Sequence, residues 1–205
     1  PHVQLTFSTK PDFAQNPLDP IIQNALRYTA TGSIHRNDML IHPLARGLEF
    51  DTYTAPSGQS LREGEAGVGM LAIVYLADGA GTVTLRSSDP ETQPNIDFNY
   101  LAEPNDRNRL REAVHICLEL SRQESYKDII DQPIKPSPQD LTSDDALDDW
   151  LMRYVRTSHH ASGTCKMGPE SDPYAVVDNK GHLHGFRGIR VADASIMPDC
   201  IRANT

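Results

Sequence analysis

No block of basic residues interrupts this 205-residue sequence. Nineteen Lys and Arg are set against 28 Asp and Glu, for a net charge of −9. That balance argues against nucleic acid or an anionic membrane surface as the main partner. Long apolar runs are missing too. The longest, Val68 to Ala77, has a glycine inside it and is too short to cross a bilayer. Cysteine is sparse and odd in number: Cys117, Cys165 and Cys200, with no CxxC. This argues against a disulfide framework and fits a reduced compartment, leaning cytoplasmic. There is no Asn-x-Ser/Thr sequon, no GxGxxG after a strand and no P-loop, so neither common phosphate cradle is present. No signal peptide opens the chain, and proline at position 1 reads as part of something longer.

What is present is material for a real core. Hydrophobic residues make up 38% of the chain, while 15 prolines and 13 glycines mark a loop-rich α+β protein. Residues 2–8 alternate with β-branched and aromatic side chains and predict a strand. Pro20 to Tyr28 has helical spacing with proline at its first turn. Strands are expected near 48–53, 68–76, 82–86 and 96–100, those at 68–76 and 82–86 forming a hairpin through Gly79-Ala80-Gly81. Asn105 or Asp106 is expected to cap a helix running to about Arg122, with Leu110, Val114, Cys117 and Leu118 on one stripe. Thr142 or Ser143 starts another, whose stripe is Leu147, Trp150, Leu151, Tyr154 and Val155. The acidic run Asp144, Asp145, Asp148 and Asp149 reads as a solvated helix start, favoured by the macrodipole, rather than as a metal site.

The most informative stretch is Ser158 to Thr205. His160 and Asn204 are too far apart in sequence to share a helix face. They meet only if the chain turns at Gly181, Gly185 or Gly188 and returns as a strand over 188–192. An imidazole facing a carboxamide is a pair suited to moving a proton and steadying the charge left behind. His182 and His184 lack a CxxC or other ligand partner at binding spacing, so no metal is expected there.

These residues carry a resemblance. His160-Ala161-Ser162-Gly163-Thr164, Val176-Val177-Asp178, Gly188-Ile189-Arg190-Val191-Ala192-Asp193-Ala194-Ser195-Ile196-Met197-Pro198 and Ala203-Asn204-Thr205 resemble the C-terminal signature of glucose-methanol-choline (GMC) flavin oxidoreductases. Gly81-Thr82-Val83-Thr84-Leu85-Arg86-Ser87-Ser88-Asp89-Pro90 and Asn99-Tyr100-Leu101 are similar to that family's substrate domain. The resemblance covers about residues 66 to 205, and Asn at 204 places it nearer the choline-dehydrogenase-like branch. It implies an antiparallel sheet with flanking helices, a substrate-binding domain over 1–156 and a catalytic, flavin-facing segment over 157–205. The FAD-binding Rossmann-like domain of the family is not in this sequence.

By the same resemblance the cofactor is FAD and the substrate a small alcohol or aldehyde hydrate. His160 is the catalytic base and Asn204 its partner. Asp193, Ala194, Asn204 and Thr205 lie against the flavin, with backbone N–H groups of the 193–194 junction free to meet it. His159 and Arg202 are possible substrate contacts; a guanidinium in the pocket would favour an anionic substrate. The partner is the FAD-binding part of the same enzyme, which supplies the adenine half of the site. A lyase of the hydroxynitrile-lyase type and a non-catalytic binding remnant are the alternatives.

Overall fold

The computed structural model describes residues 1–16, 18–46, 67–202 and 204–205. Its centre is an antiparallel sheet. β1 (His2–Thr9), β2 (Leu26–Tyr28), β3 (Met39–Leu44), β4 (Gly67–Val74) and β7 (Ile130–Lys135) lie in the order β2-β3-β4-β1-β7. β1 and β4 pair along their length, from His2 opposite Ile73 to Ser8 opposite Gly67. β5 (Thr82–Thr84) and β6 (Asn95–Asp97) form a separate two-stranded ribbon.

Period-two alternation gives the sheet two different faces. Val3, Leu5, Phe7, Met39, Ile41, Met70 and Ala72 are all buried against the helices α1 (Pro104–Leu120) and α2 (Asp144–Tyr154). The helices contribute the stripes Leu110, Ala113, Val114, Cys117 and Leu147, Trp150, Leu151. Each Val, Leu, Ile, Phe or Met among them contributes about 1.5–3 kcal/mol by leaving water. Burial also pushes the Cys117 thiol up, which makes it packing material rather than a reactive group.

Several expectations are corrected. Pro20–Tyr28 is not a helix. Ile21 and Ile22 run extended beside the end of β3, where the Ala45 N–H donates to the Ile21 carbonyl at 2.9 Å, and Leu26–Tyr28 is β2. Ile21 packs on the sheet, while Ile22 and Leu26 stay exposed. The strand expected at 48–53 lies outside the described residues. Residues 82–86 do not return along β4: the carboxylate of Asp106 accepts the Asp78 and Gly79 N–H groups at 3.0 Å, turning the chain toward the start of α1. The ribbon that follows leaves Val83 and Ile96 about half exposed. α1 starts with Pro104 behind Glu103, not under an Asn105 or Asp106 cap. Ser143 does cap α2, accepting from the Ala146 N–H at 3.1 Å. Asp148 pairs with Arg111 at 2.7 Å. β3 and β7 were not expected, because Pro43 and Pro133 interrupt them. Both prolines are tolerated: β7 is an edge, and β2 has ended before it reaches Pro43.

One buried ionic cluster joins helix to sheet. The guanidinium of Arg109 on α1 donates to Asp38 at 2.9 Å, to Asp106 at 2.5 Å and to the carbonyls of Tyr75 and Leu76 at 3.1 Å. Burial raises the Asp38 carboxyl, but donors from Ser33, the Ala30 N–H and Arg109 outweigh it and hold the group below its ordinary range. The cluster fixes Tyr75 and Leu76, just past the end of β4, and the Tyr75 side chain points at the C-terminal stretch.

Candidate active site

The second face of the sheet looks away from the helices. Arg27, Leu40, Ile73 and His2 form one row across β2, β3, β4 and β1, and Leu71 and Tyr75 belong to the same apolar cluster. The C-terminal segment is tied to this face at two points. His2 and Arg156 exchange backbone hydrogen bonds at 2.9 Å, and the Tyr75 hydroxyl donates to Asn204 Oδ1 at 3.1 Å. Burial pushes the His2 imidazole down to about 4.

Residues 163–167 run beside 194–196. The N–H groups of Gly163, Cys165 and Met167 donate to the carbonyls of Ala194, Ser195 and Ile196 at 3.3, 2.9 and 2.9 Å. The strand expected over 188–192 is reduced to a single bridge between His182 and Arg190, closed by the Val191 N–H on the Gly181 carbonyl at 2.9 Å. Gly181 is required here. Its φ is +76°, and a Cβ would lie 2.5 Å from the Val191 carbonyl oxygen. Asp178 holds the same turn through the N–H groups of Lys180 and His182 and the His182 Nδ1, bonds that pull its carboxyl down to about 2. His184 Nε2 contacts the Gly168 carbonyl at 3.0 Å. These two histidines shape turns.

His160 emerges from a strained corner. His159 before it sits at φ +63°, a left-handed conformation uncommon outside glycine, with its N–H on the Thr157 hydroxyl at 3.0 Å. The His160 ring is half-buried, and its Nδ1 lies 2.9 Å from the Thr205 hydroxyl and 3.2 Å from the Thr205 N–H. His160, Asn204 and Thr205 therefore share one locality. His159 is exposed in its turn, and Arg202 reaches away to donate to the Arg36 carbonyl at 3.1 Å.

At the 193–194 junction the Asp193 and Ala194 N–H groups have no partner among the described residues, while the N–H groups that follow them are engaged. Asp193 accepts the Ser195 N–H with its side chain at 2.8 Å and the Ile196 N–H with its carbonyl at 3.2 Å, and the Met197 N–H goes to Ala194. The hydrogen bonds from Ser195 lower the Asp193 carboxyl. The residue that sequence reasoning missed is Tyr75. It was hidden at the end of a strand whose neighbours are all apolar, and nothing in its spacing points to Asn204.

Residues 77–205 match the sequence model of the GMC oxidoreductase family. The chain belongs to that family. It is 36% identical over 171 residues to an oxygen-dependent choline dehydrogenase of Rhizobium rhizogenes, a match covering 83% of this chain and 30% of that protein. The chain thus corresponds to under a third of the length of that curated relative. In fold it is similar to pyridoxine 4-oxidase from Mesorbium loti, with a TM-score of 0.79 at 22% identity, over 99% of this chain and 39% of the other. A variant of Aspergillus oryzae formate oxidase, followed for FAD modification, superposes with a TM-score of 0.81 at 18% identity, over 99% and 42%. The antiparallel sheet with two helices is the fold these structures share.

Proposed function

We propose that the protein carrying this chain oxidises an alcohol or an aldehyde hydrate with FAD as hydride acceptor. In this reading residues 1–156 form the substrate-facing sheet and residues 157–205 the catalytic segment. The observation that supports it is the convergence of His160, Asn204 and Thr205 beneath the Tyr75 corner of the sheet. FAD is the cofactor of the family.

The donor set fits the ring half of that cofactor. Asn204 and Thr205 are exposed and polar, and the Ala194 N–H has no partner among the described residues. Such isolated donors suit ring heteroatoms. A pyrophosphate needs several converging N–H groups, which a separate FAD-binding part of the enzyme supplies. Asp193 contributes by shaping its own turn.

Bound FAD supplies a ring able to take hydride from the carbinol carbon. For hydride to leave, the hydroxyl proton must leave as well, or charge builds up on carbon. His160 takes that proton at Nε2, which is available when Nδ1 carries the ring hydrogen and donates it to the Thr205 hydroxyl. In the other tautomer Nδ1 accepts from the Thr205 N–H and Nε2 is already protonated. The hydroxyl can accept the ring hydrogen where the N–H can only donate, so the basic form depends on that hydroxyl. Asn204 Nδ2 donates to the substrate oxygen as its charge grows and orients the C–H for transfer.

An alcohol and aldehyde panel on the flavin-loaded enzyme tests this reading, with oxygen and an artificial dye as alternative acceptors. Anaerobic bleaching of the flavin by at least one alcohol is the expected result. Cleavage of a hydroxynitrile without bleaching would make it a lyase, and no response to any compound would leave it a binding module; either contradicts the reading.

A further inference from the structure

We propose that Tyr75 is a positioning residue that fixes the Asn204 amide with Oδ1 turned away from the substrate and Nδ2 facing it. This rests on the role given to Asn204 above. A carboxamide has two nearly isosteric ends, and only the NH2 end can steady a developing alkoxide. If it flips, the oxygen end faces a growing negative charge. The Tyr75 hydroxyl donates to Oδ1 at 3.1 Å, and because a phenol is a better donor than acceptor this contact favours that end of the amide.

Tyr75 is well held for this work. Its N–H donates to the Asp38 carbonyl at 2.8 Å, and its carbonyl accepts from Arg109 at 3.1 Å. Those two partners are themselves a buried ion pair. The ring packs with Leu71 and Ile73, and the Arg27 guanidinium lies 5.8 Å from its centroid. Burial raises the phenol, and the nearby Arg27 charge offsets only part of that, so the hydroxyl keeps the proton it donates across the neutral range. The donor is therefore rigid before substrate arrives, and the amide does not have to be ordered during the reaction.

The test is a double-mutant cycle on the flavin-loaded enzyme, using the best alcohol of the panel. Tyr75→Phe should lower kcat about tenfold, the cost of losing one neutral hydrogen bond. KM should stay within about twofold and the bound flavin spectrum unchanged, because only the charge-stabilising step is affected. Asn204→Ala should lower kcat by about 100-fold, as for one oxyanion donor. Adding Tyr75→Phe to Asn204→Ala should cause no further loss. Wild-type kcat in Tyr75→Phe, or losses that multiply in the double variant, would overturn the proposal. Wild-type kcat in Asn204→Ala would instead sink the role of Asn204 itself, and this proposal with it. If Tyr75→Phe fails to fold, a fluorinated tyrosine at 75 keeps the ring and lowers its ionisation pH. It should bring in an alkaline fall of kcat that the unmodified enzyme lacks; an unchanged pH profile would overturn the proposal.

Discussion

The Nδ1 of His160 lies 2.9 Å from the hydroxyl of Thr205, a residue far along the chain from it. If that hydroxyl accepts the ring hydrogen of the basic tautomer, Thr205→Val should lower kcat/KM with little change in fold, because the backbone N–H contact alone favours the unproductive form. A loss of about tenfold is expected, matching one hydrogen bond, and Thr205→Ser should restore most of it. Equal kinetics for Val and Ser at this position, measured on the flavin-loaded enzyme, would remove the hydroxyl from the account.

The Asp38–Arg109–Asp106 cluster makes a prediction about stability. All three side chains are almost completely buried. Arg109→Met leaves two carboxylates in the interior without their cation, a change that costs about 3–5 kcal/mol. Asp38→Asn keeps hydrogen-bonding atoms in place and should cost less. Denaturant unfolding midpoints would decide the order; a larger loss in Asp38→Asn than in Arg109→Met would contradict it.

His2 predicts an acid-sensitive window. Its imidazole is pushed from an ordinary 6.5 to about 4 by burial, so between those values the unfolded chain binds a proton that the folded one does not. Its contribution to stability is complete above about 6.5, falls as the pH is lowered and is gone below about 4. A His2→Gln variant should show a shallower loss of stability across that interval in melting experiments. An identical slope in both proteins would exclude His2 as the source.

Gly181 carries a steric prediction. A methyl group there meets the Val191 carbonyl at 2.5 Å, and the backbone lies at a φ that side chains resist. Gly181→Ala should destabilise by about 1–3 kcal/mol, the usual range for such strain. Gly185 also has a positive φ but open space around it, so Gly185→Ala should cost less. Melting temperatures in the opposite order would contradict the close approach.

These residues also mark how far the sequence could be read. β1 and both helix stripes were legible because one face of each is buried, which writes a period of two or near 3.6 into the residues, and β4 because a continuous apolar run marks a strand buried on both faces. The pairing of β5 was not legible. It depends on Asp106 capturing two N–H groups from a loop 27 and 28 residues earlier, a long-range contact that no local pattern records. β3 and β7 were hidden by prolines whose tolerance depends on what lies beside each strand. The segment before β2 carried helical spacing but runs extended beside the end of β3, with Ile21 against the sheet and Ile22 exposed.

At the site, His160, Asn204 and Thr205 were legible as motif residues, and the chain brings them together. The engagement of the N–H groups after Asp193 was not, since an Asp two residues before Ser195 caps its own turn whether or not a ligand is near. Tyr75 was invisible for a related reason. Near the end of an apolar run it has the composition of core, and only the folded chain shows that its hydroxyl faces Asn204.

The proton taken at His160 is the claim on which the proposed chemistry turns, and anaerobic stopped-flow measurement of flavin bleaching by an alcohol tests it most directly. His160→Ala should slow bleaching by at least about 100-fold, the lower end for loss of a general base, with flavin content unchanged and partial recovery on adding free imidazole. Bleaching in that variant at the wild-type rate would contradict the account.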